Sequence, residues 1–150
     1  MMADGGFSVE GKEDIQEILS KRLYLCQLLV SLCIVKEGGV FFCKLFDVFT
    51  PFSAGLIYLM YVAYDQISLH KPHTSRPANS ERVNRKLDEF DKGNSSQDVN
   101  SIVPLEMLKN DDVFCNYLTS HNESLASRQS VYLQKYLSFA RNSSLIDKDQ

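Results

Sequence analysis

The stretch GGVFFCKLFDVFTPF, residues 38–52, restricts the fold more than any other part of the chain. From Val40 to Phe49 apolar residues occupy both alternating faces, the pattern of a strand covered on both sides in a parallel sheet. Lys44 interrupts that run, with Phe41, Phe42 and Cys43 before it and Leu45 and Phe46 after it. Taking an ammonium out of water among such neighbours is costly unless a partner compensates it. The plainer alternative is a lysine whose stem lies on apolar surface while its tip escapes at the strand end. Phe42 and Phe46 share a strand face with Lys44, so the expectation is an ammonium at the sheet's rim in a low-dielectric setting.

The flanking segments extend this strand into a layered pattern. MMADGG reads as a strand end turning into a loop. Residues 13–35 read as a helix: Ile15, Ile18, Leu19, Leu23, Cys26, Leu29, Val30 and Cys33 recur at three- and four-residue steps. Glu13 and Asp14 suit its first turn, and Gly38 and Gly39 suit its stop. Residues 52–64 return to helical spacing through Leu56, Leu59, Met60 and Ala63, and residues 66–69 suggest another short strand. Strands alternating with helices predict an α/β architecture. Residues 71–82, KPHTSRPANSER, form a loop; residues 83–93 look helical and charged; NSSQDVNS is a linker. Two amphipathic helices are expected over 104–141, with a boundary near SHNES where Asn122 caps the second.

A chain of 150 residues suits one domain with a real core. Its net charge of −3 argues against a uniform coat of nucleic acid, yet Leu69 to Lys86 holds five Lys/Arg against the single acid Glu81. That segment can attract phosphates, or it can be a solvated loop. The four cysteines lack metal or CxxC spacing and imply a reducing, intracellular setting. His70 and His73 flank Pro72 with no thiol or acid beside them, so no metal is expected. The apolar run 23–35 is too short to span a bilayer, and no membrane role is expected.

MADGGFSVEG, GGVFFCKLFDVFTPFSAGLIYLMY and KPHTSRPANSER together resemble the FtsJ-like methyltransferases that act on capped messenger RNA. The resemblance runs from residue 1 to about residue 121. It implies the C-terminal portion of a Rossmann-like, S-adenosylmethionine-dependent methyltransferase domain, followed by C-terminal helices. On that reading residues 1–92 are an incomplete methyltransferase domain, 93–103 a linker, and 104–150 a helical segment with a frayed tail. After residue 82 the chain departs from the family: a strand-plus-helix block of about twenty residues is skipped. The main cofactor-binding motif is expected upstream of this chain.

The implied reaction is 2′-O-ribose methylation of the first transcribed nucleotide of capped mRNA. The family works with a lysine–aspartate–lysine–glutamate set, and the resemblance assigns Asp4, Lys44 and Glu81 to it. Asn79 matches a substrate contact, and Asp14, Ile15 and Gln16 match a segment touching capped RNA; the family more often has Asn at the position of Asp14. Arg76 and Arg82, from the basic loop, are expected on the RNA backbone. The implied partners are capped mRNA and, through a parent protein, the transcription machinery, with no DNA; the implied compartment is the nucleus.

The chemistry fits these residue types. A ribose hydroxyl is a poor nucleophile and needs an aligned base. A lysine serves only when burial and a second cation favour its neutral form. Asp4 holds Lys44, and Glu81 orients a lysine partner. Singly, ADGG is a common turn and Lys44 a strand-end cation; their joint occurrence with Glu81 carries the reading. Lacking its cofactor half and the skipped strand, the chain itself is expected to be inactive and poorly stable. The rival readings are a noncatalytic RNA- or protein-interaction module and the related enzyme acting on the second nucleotide.

Overall fold

A computed structural model describes residues 1–6, 11, 15–72 and 99–141. Two short parallel strands, β1 (Met2–Ala3) and β2 (Phe42–Cys43), pair with Met2 opposite Phe42 and Ala3 opposite Cys43. Between them run α1 (Gln16–Leu19) and α2 (Lys21–Ile34); α3 (Pro51–Ala63) follows β2. The C-terminal part holds α4 (Leu105–Asn110) and α5 (Asp112–Arg141). A parallel pair with helical crossovers is an α/β arrangement, although helix dominates the described residues.

The strand expected over residues 40–49 pairs for two residues only. Beyond Lys44, whose amide still meets Ala3, its backbone is held by side chains from helices. The Phe46 amide donates to the Tyr24 hydroxyl at 2.6 Å, and the Thr50 amide donates to Glu17 Oε1 at 2.8 Å. Asn122 Nδ2 donates to the Val48 carbonyl at 3.2 Å. Side-chain partners satisfy buried backbone groups as well as a neighbouring strand does, so the sheet need not continue.

Tyr24 is fully buried, and burial pushes its phenol up to about 12. Tyr24→Phe removes the acceptor and leaves the Phe46 amide unpaired, which should cost about 1–3 kcal/mol. A lowered urea midpoint with unchanged slope is the expected result.

α3 is the central helix. Thr50 caps it by accepting the Ser53 amide at 3.2 Å, with Pro51 in the first turn, where proline is favoured. Its Phe52, Leu56 and Met60 pack with Tyr24 and Leu28 of α2. Its Ile57 joins Val48, Val103, Leu108, Phe114 and Leu118 on the other side. Ile102 and Val103, in the segment read as a linker, pack against α3. A Cβ at Gly55 would meet Ile102 Cγ1 at 3.1 Å, so this glycine permits the close approach.

Four expectations are corrected. The helix read over 13–35 changes turn at Ser20, and its buried face is Glu17, Ile18, Tyr24, Leu28 and Ser31. Cys26, Leu29, Val30 and Cys33 are exposed, because an almost uniformly apolar helix does not reveal which side meets the core. The helix ends at Ile34; Gly38 instead sits at φ +68° in the turn that follows, closed by the Gly39 amide on the Lys36 carbonyl. Residues 66–69 form no strand: Leu69 donates its amide to the Tyr117 hydroxyl of α5 at 2.7 Å.

The fourth correction concerns SHNES, which lies inside one uninterrupted α5. The helix boundary falls at Asp111, whose Oδ1 accepts the Phe114 amide at 3.0 Å. Phe114 and Leu118 bury one side of α5. That packing outweighs the weak helix propensities of Ser, His and Asn. The helix read over 83–93 and most of the linker lie outside the described residues.

Candidate active site

Asp4 is the residue after β1 and Lys44 the residue after β2. Because the strands are parallel and in register, both side chains leave the same end of the sheet. The Lys44 amide donates to the Ala3 carbonyl at 3.0 Å, holding the two backbones level at that point. Lys44 Nζ lies 3.3 Å from Asp4 Oδ1. In an open α/β sheet, this carboxyl end is where active groups collect.

The setting of Lys44 differs from the expectation. Its side chain is 65% exposed and that of Asp4 69%, so this is an ion pair in solvent and not a buried ammonium. Phe42, which shares its strand face, is 60% exposed. A two-residue strand cannot bury that face unaided, and among the described residues only its Phe46 end packs against the helices. An exposed pair contributes about 0–1 kcal/mol to stability, so its significance is positional.

The loop carrying Asp4 is held from α2. Gln27 Oε1 accepts the Gly5 amide at 3.3 Å, while Gln27 Nε2 reaches the Leu23 carbonyl at 3.5 Å. A Cβ at Gly5 would lie 3.0 Å from Leu23 Cδ1, so a larger residue there would require the Leu23 tip to shift. The Cys43 Sγ stands 4.0 Å from Gln27 Oε1. Burial first, and then the Asp4 charge, push the Cys43 thiol up to about 11. It therefore stays protonated at neutral pH and is no nucleophile.

Neither Gln27 nor Glu17 was singled out from the sequence. Both are polar residues within an apolar helix, and that break in pattern is the signal that could have found them. Ile15 is buried and Gln16 half-buried, so the Ile15 side chain packs in the core. Asp14, Arg76, Asn79, Glu81 and Arg82 lie outside the described residues. Among the described residues, no three His, Cys, Asp or Glu side chains gather as a metal site requires, and no helix is long and apolar enough to cross a membrane.

The FtsJ-like methyltransferase family matches residues 1–84, more than half of the chain, Asp4 and Lys44 included. The chain belongs to the FtsJ-like methyltransferase family. Among relatives of this FtsJ-like chain is a cap-specific mRNA (nucleoside-2′-O-)-methyltransferase 1A of Caenorhabditis briggsae, 64% identical over all of this chain and 20% of the relative. An inactive cap-specific mRNA (nucleoside-2′-O-)-methyltransferase 1B of the same organism is 62% identical over the same shares. A cap-specific mRNA (nucleoside-2′-O-)-methyltransferase 1 of Caenorhabditis elegans is 61% identical over all of this chain and 19% of the relative. The FtsJ-like chain thus spans about a fifth of the length of these curated relatives. Overall identity does not separate a relative named inactive from the others, so the site itself has to be weighed.

Proposed function

We propose that this chain is the C-terminal portion of a Rossmann-like methyltransferase domain, followed by C-terminal helices. Its parent protein methylates the 2′-hydroxyl of the first transcribed nucleotide of capped mRNA. The observation that carries the reading is the 3.3 Å approach of Lys44 to Asp4 beyond two parallel strands, inside the family match. The relatives' names support the substrate class.

Lys44 receives the ribose hydroxyl's hydrogen bond and takes its proton, and Asp4 fixes where the Lys44 tip stands. Bound RNA would cover the exposed face that carries Phe42 and Lys44. Glu81 orients a second lysine, while Arg76, Asn79 and the backbone of residues 14–16 meet the RNA. The methyl donor is S-adenosylmethionine. With Asp4 and Lys44 open to solvent, the described residues do not enclose a cofactor of that size, and the 150-residue chain alone is expected to yield no methylated product.

The alignment to the first relative runs over 171 positions against 150 residues here, so 21 positions of the relative face no residue of this chain. That supports a missing block, which we assign to the junction after residue 82. Nuclear localisation follows from the proposed substrate, since caps are modified where transcripts are made.

Filter binding with capped and uncapped RNA tests the reading. Capped RNA is expected to bind about tenfold more tightly, equivalent to ~1.4 kcal/mol. Equal binding would overturn the cap reading. It would favour a noncatalytic interaction module, a second reading supported by exposed Val131, Tyr132, Tyr136, Leu137 and Phe139 on distal α5.

A further inference from the structure

A second site lies where the segment after α3 meets α5. A half-open cleft of about 240 Å³ separates them, lined by His70 and Lys71 from the segment and by His121, Ser124, Leu125 and Arg128 from α5. The helix residues stand at i, i+3, i+4 and i+7, which is one stripe along the helix. The hydrogen bond from the Leu69 amide to Tyr117, one turn before His121, fastens the segment beside that stripe.

Among the described residues, two imidazoles, an ammonium and a guanidinium line the cleft, and no acid does. Burial, then Arg128 and then His70, hold the His121 imidazole below its usual value of 6.5. Lys71 on the segment and Arg128 on the helix bring positive charge to the cleft, which favours an entering anion. The volume falls below the roughly 300–1,000 Å³ of small-molecule pockets, which suits a phosphate better than a whole cofactor.

We propose that this cleft binds a backbone phosphate of an RNA strand, with His70, His121 and Arg128 as the anion's partners. The choice of RNA rests on the function proposed above; the anion preference does not. The cleft is tied to the Lys44 segment, since Asn122, next to His121, donates to the Val48 carbonyl. RNA held there is held by an element already docked four residues beyond Lys44.

Binding should strengthen as pH falls from about 7.5 to about 5.5, because a phosphate favours the imidazolium. Among the described residues, the polar groups that share the cleft with His121 are His70 and Lys71 from the segment and Ser124 and Arg128 from its own helix. Without an anion the sign reverses. With its folded pKa lowered, the His121 contribution to stability is fully present above about pH 6.5 and is lost as pH falls below it.

The test uses the whole chain, a short fluorescent RNA with and without a cap, and anisotropy across a salt series, with far-UV circular dichroism reporting folding. Arg128→Gln should weaken capped and uncapped RNA alike, about five- to tenfold, and lower the salt slope by about one. Arg128→Lys should retain most of the affinity, and His121→Gln should flatten the pH dependence. A capped-to-uncapped ratio unchanged by these variants supports a cleft that reads phosphate. A ratio near one in the parent chain would count against the cap reading alone. Affinity and salt slope unmoved by Arg128→Gln, with dichroism intact, would overturn the proposal. So would thermal protection by inorganic phosphate while RNA affinity ignores both variants, because the cleft would then serve a free anion.

Discussion

Glu17→Ala is expected to unfold much of the chain under conditions where the parent chain stays folded. Glu17 is 1% exposed, and its Oε1 accepts both the Thr50 amide and the Thr50 hydroxyl, each at 2.8 Å. Those bonds join α1 to the residue that caps α3. Removing the carboxylate leaves the Thr50 amide unpaired where water enters poorly, while the Thr50 hydroxyl keeps only Ser53 Oγ, at 3.1 Å. At about 1–3 kcal/mol for each buried bond lost, the two together cost about 2–6 kcal/mol. That is a large share of a domain stability of about 5–15 kcal/mol. Glu17→Gln keeps an oxygen acceptor and should cost roughly half as much. Urea titrations of the two variants against the parent chain measure the ladder. Equal midpoints for Glu17→Ala and the parent would mean that Thr50 finds another acceptor at no cost.

Phe114→Ala should be comparably damaging, but through packing. The ring is 2% exposed and meets Tyr58 edge-on at 5.0 Å and Tyr61 at 5.4 Å between centroids. It fills the junction between α3 and the start of α5, where Leu108 and Leu118 also pack. Truncating a buried Phe to Ala costs about 3–5 kcal/mol, the spread reflecting how far the site collapses. Phe114→Leu should recover much of that. Hydrogen exchange adds a readout of place: amides of α5 should lose protection before those of α2, whose Tyr24 and Leu28 belong to the other cluster. Uniform loss of protection along the chain would contradict this two-cluster account.

The meeting of Asp4 with Lys44 was legible from motifs because strand register does the rest: two residues each following a paired strand end must come level. The exposure of Lys44 was not legible. Apolar neighbours in sequence say what a residue could pack against, whereas burial depends on which segments cover it in space. α3 was readable nearly to the residue, since Thr50 and Pro51 mark its start with specific chemistry. For α2 the opposite holds: Leu23, Leu25, Leu28, Leu29, Val30 and Leu32 surround the helix with hydrophobes. The face is then marked by a single polar atom, the Tyr24 hydroxyl, whose partner Phe46 lies 22 positions away. The break before α5 was missed because Asp111 and Asn122 are both plausible caps locally, and tertiary contact put Asn122 to another use.

The segment from Lys44 to Thr50 is secured by Tyr24, Asn122 and Glu17, each reaching in from a different helix. Such pegged backbone has surrendered its conformational freedom during folding, so a ligand arriving at Lys44 does not have to order it at a cost of roughly 1–2 kcal/mol per residue. The same arrangement makes the restraint divisible. Loosening the Tyr24 or the Asn122 peg frees one stretch of backbone and leaves the other two gripping, an option that a continuous strand ladder does not offer.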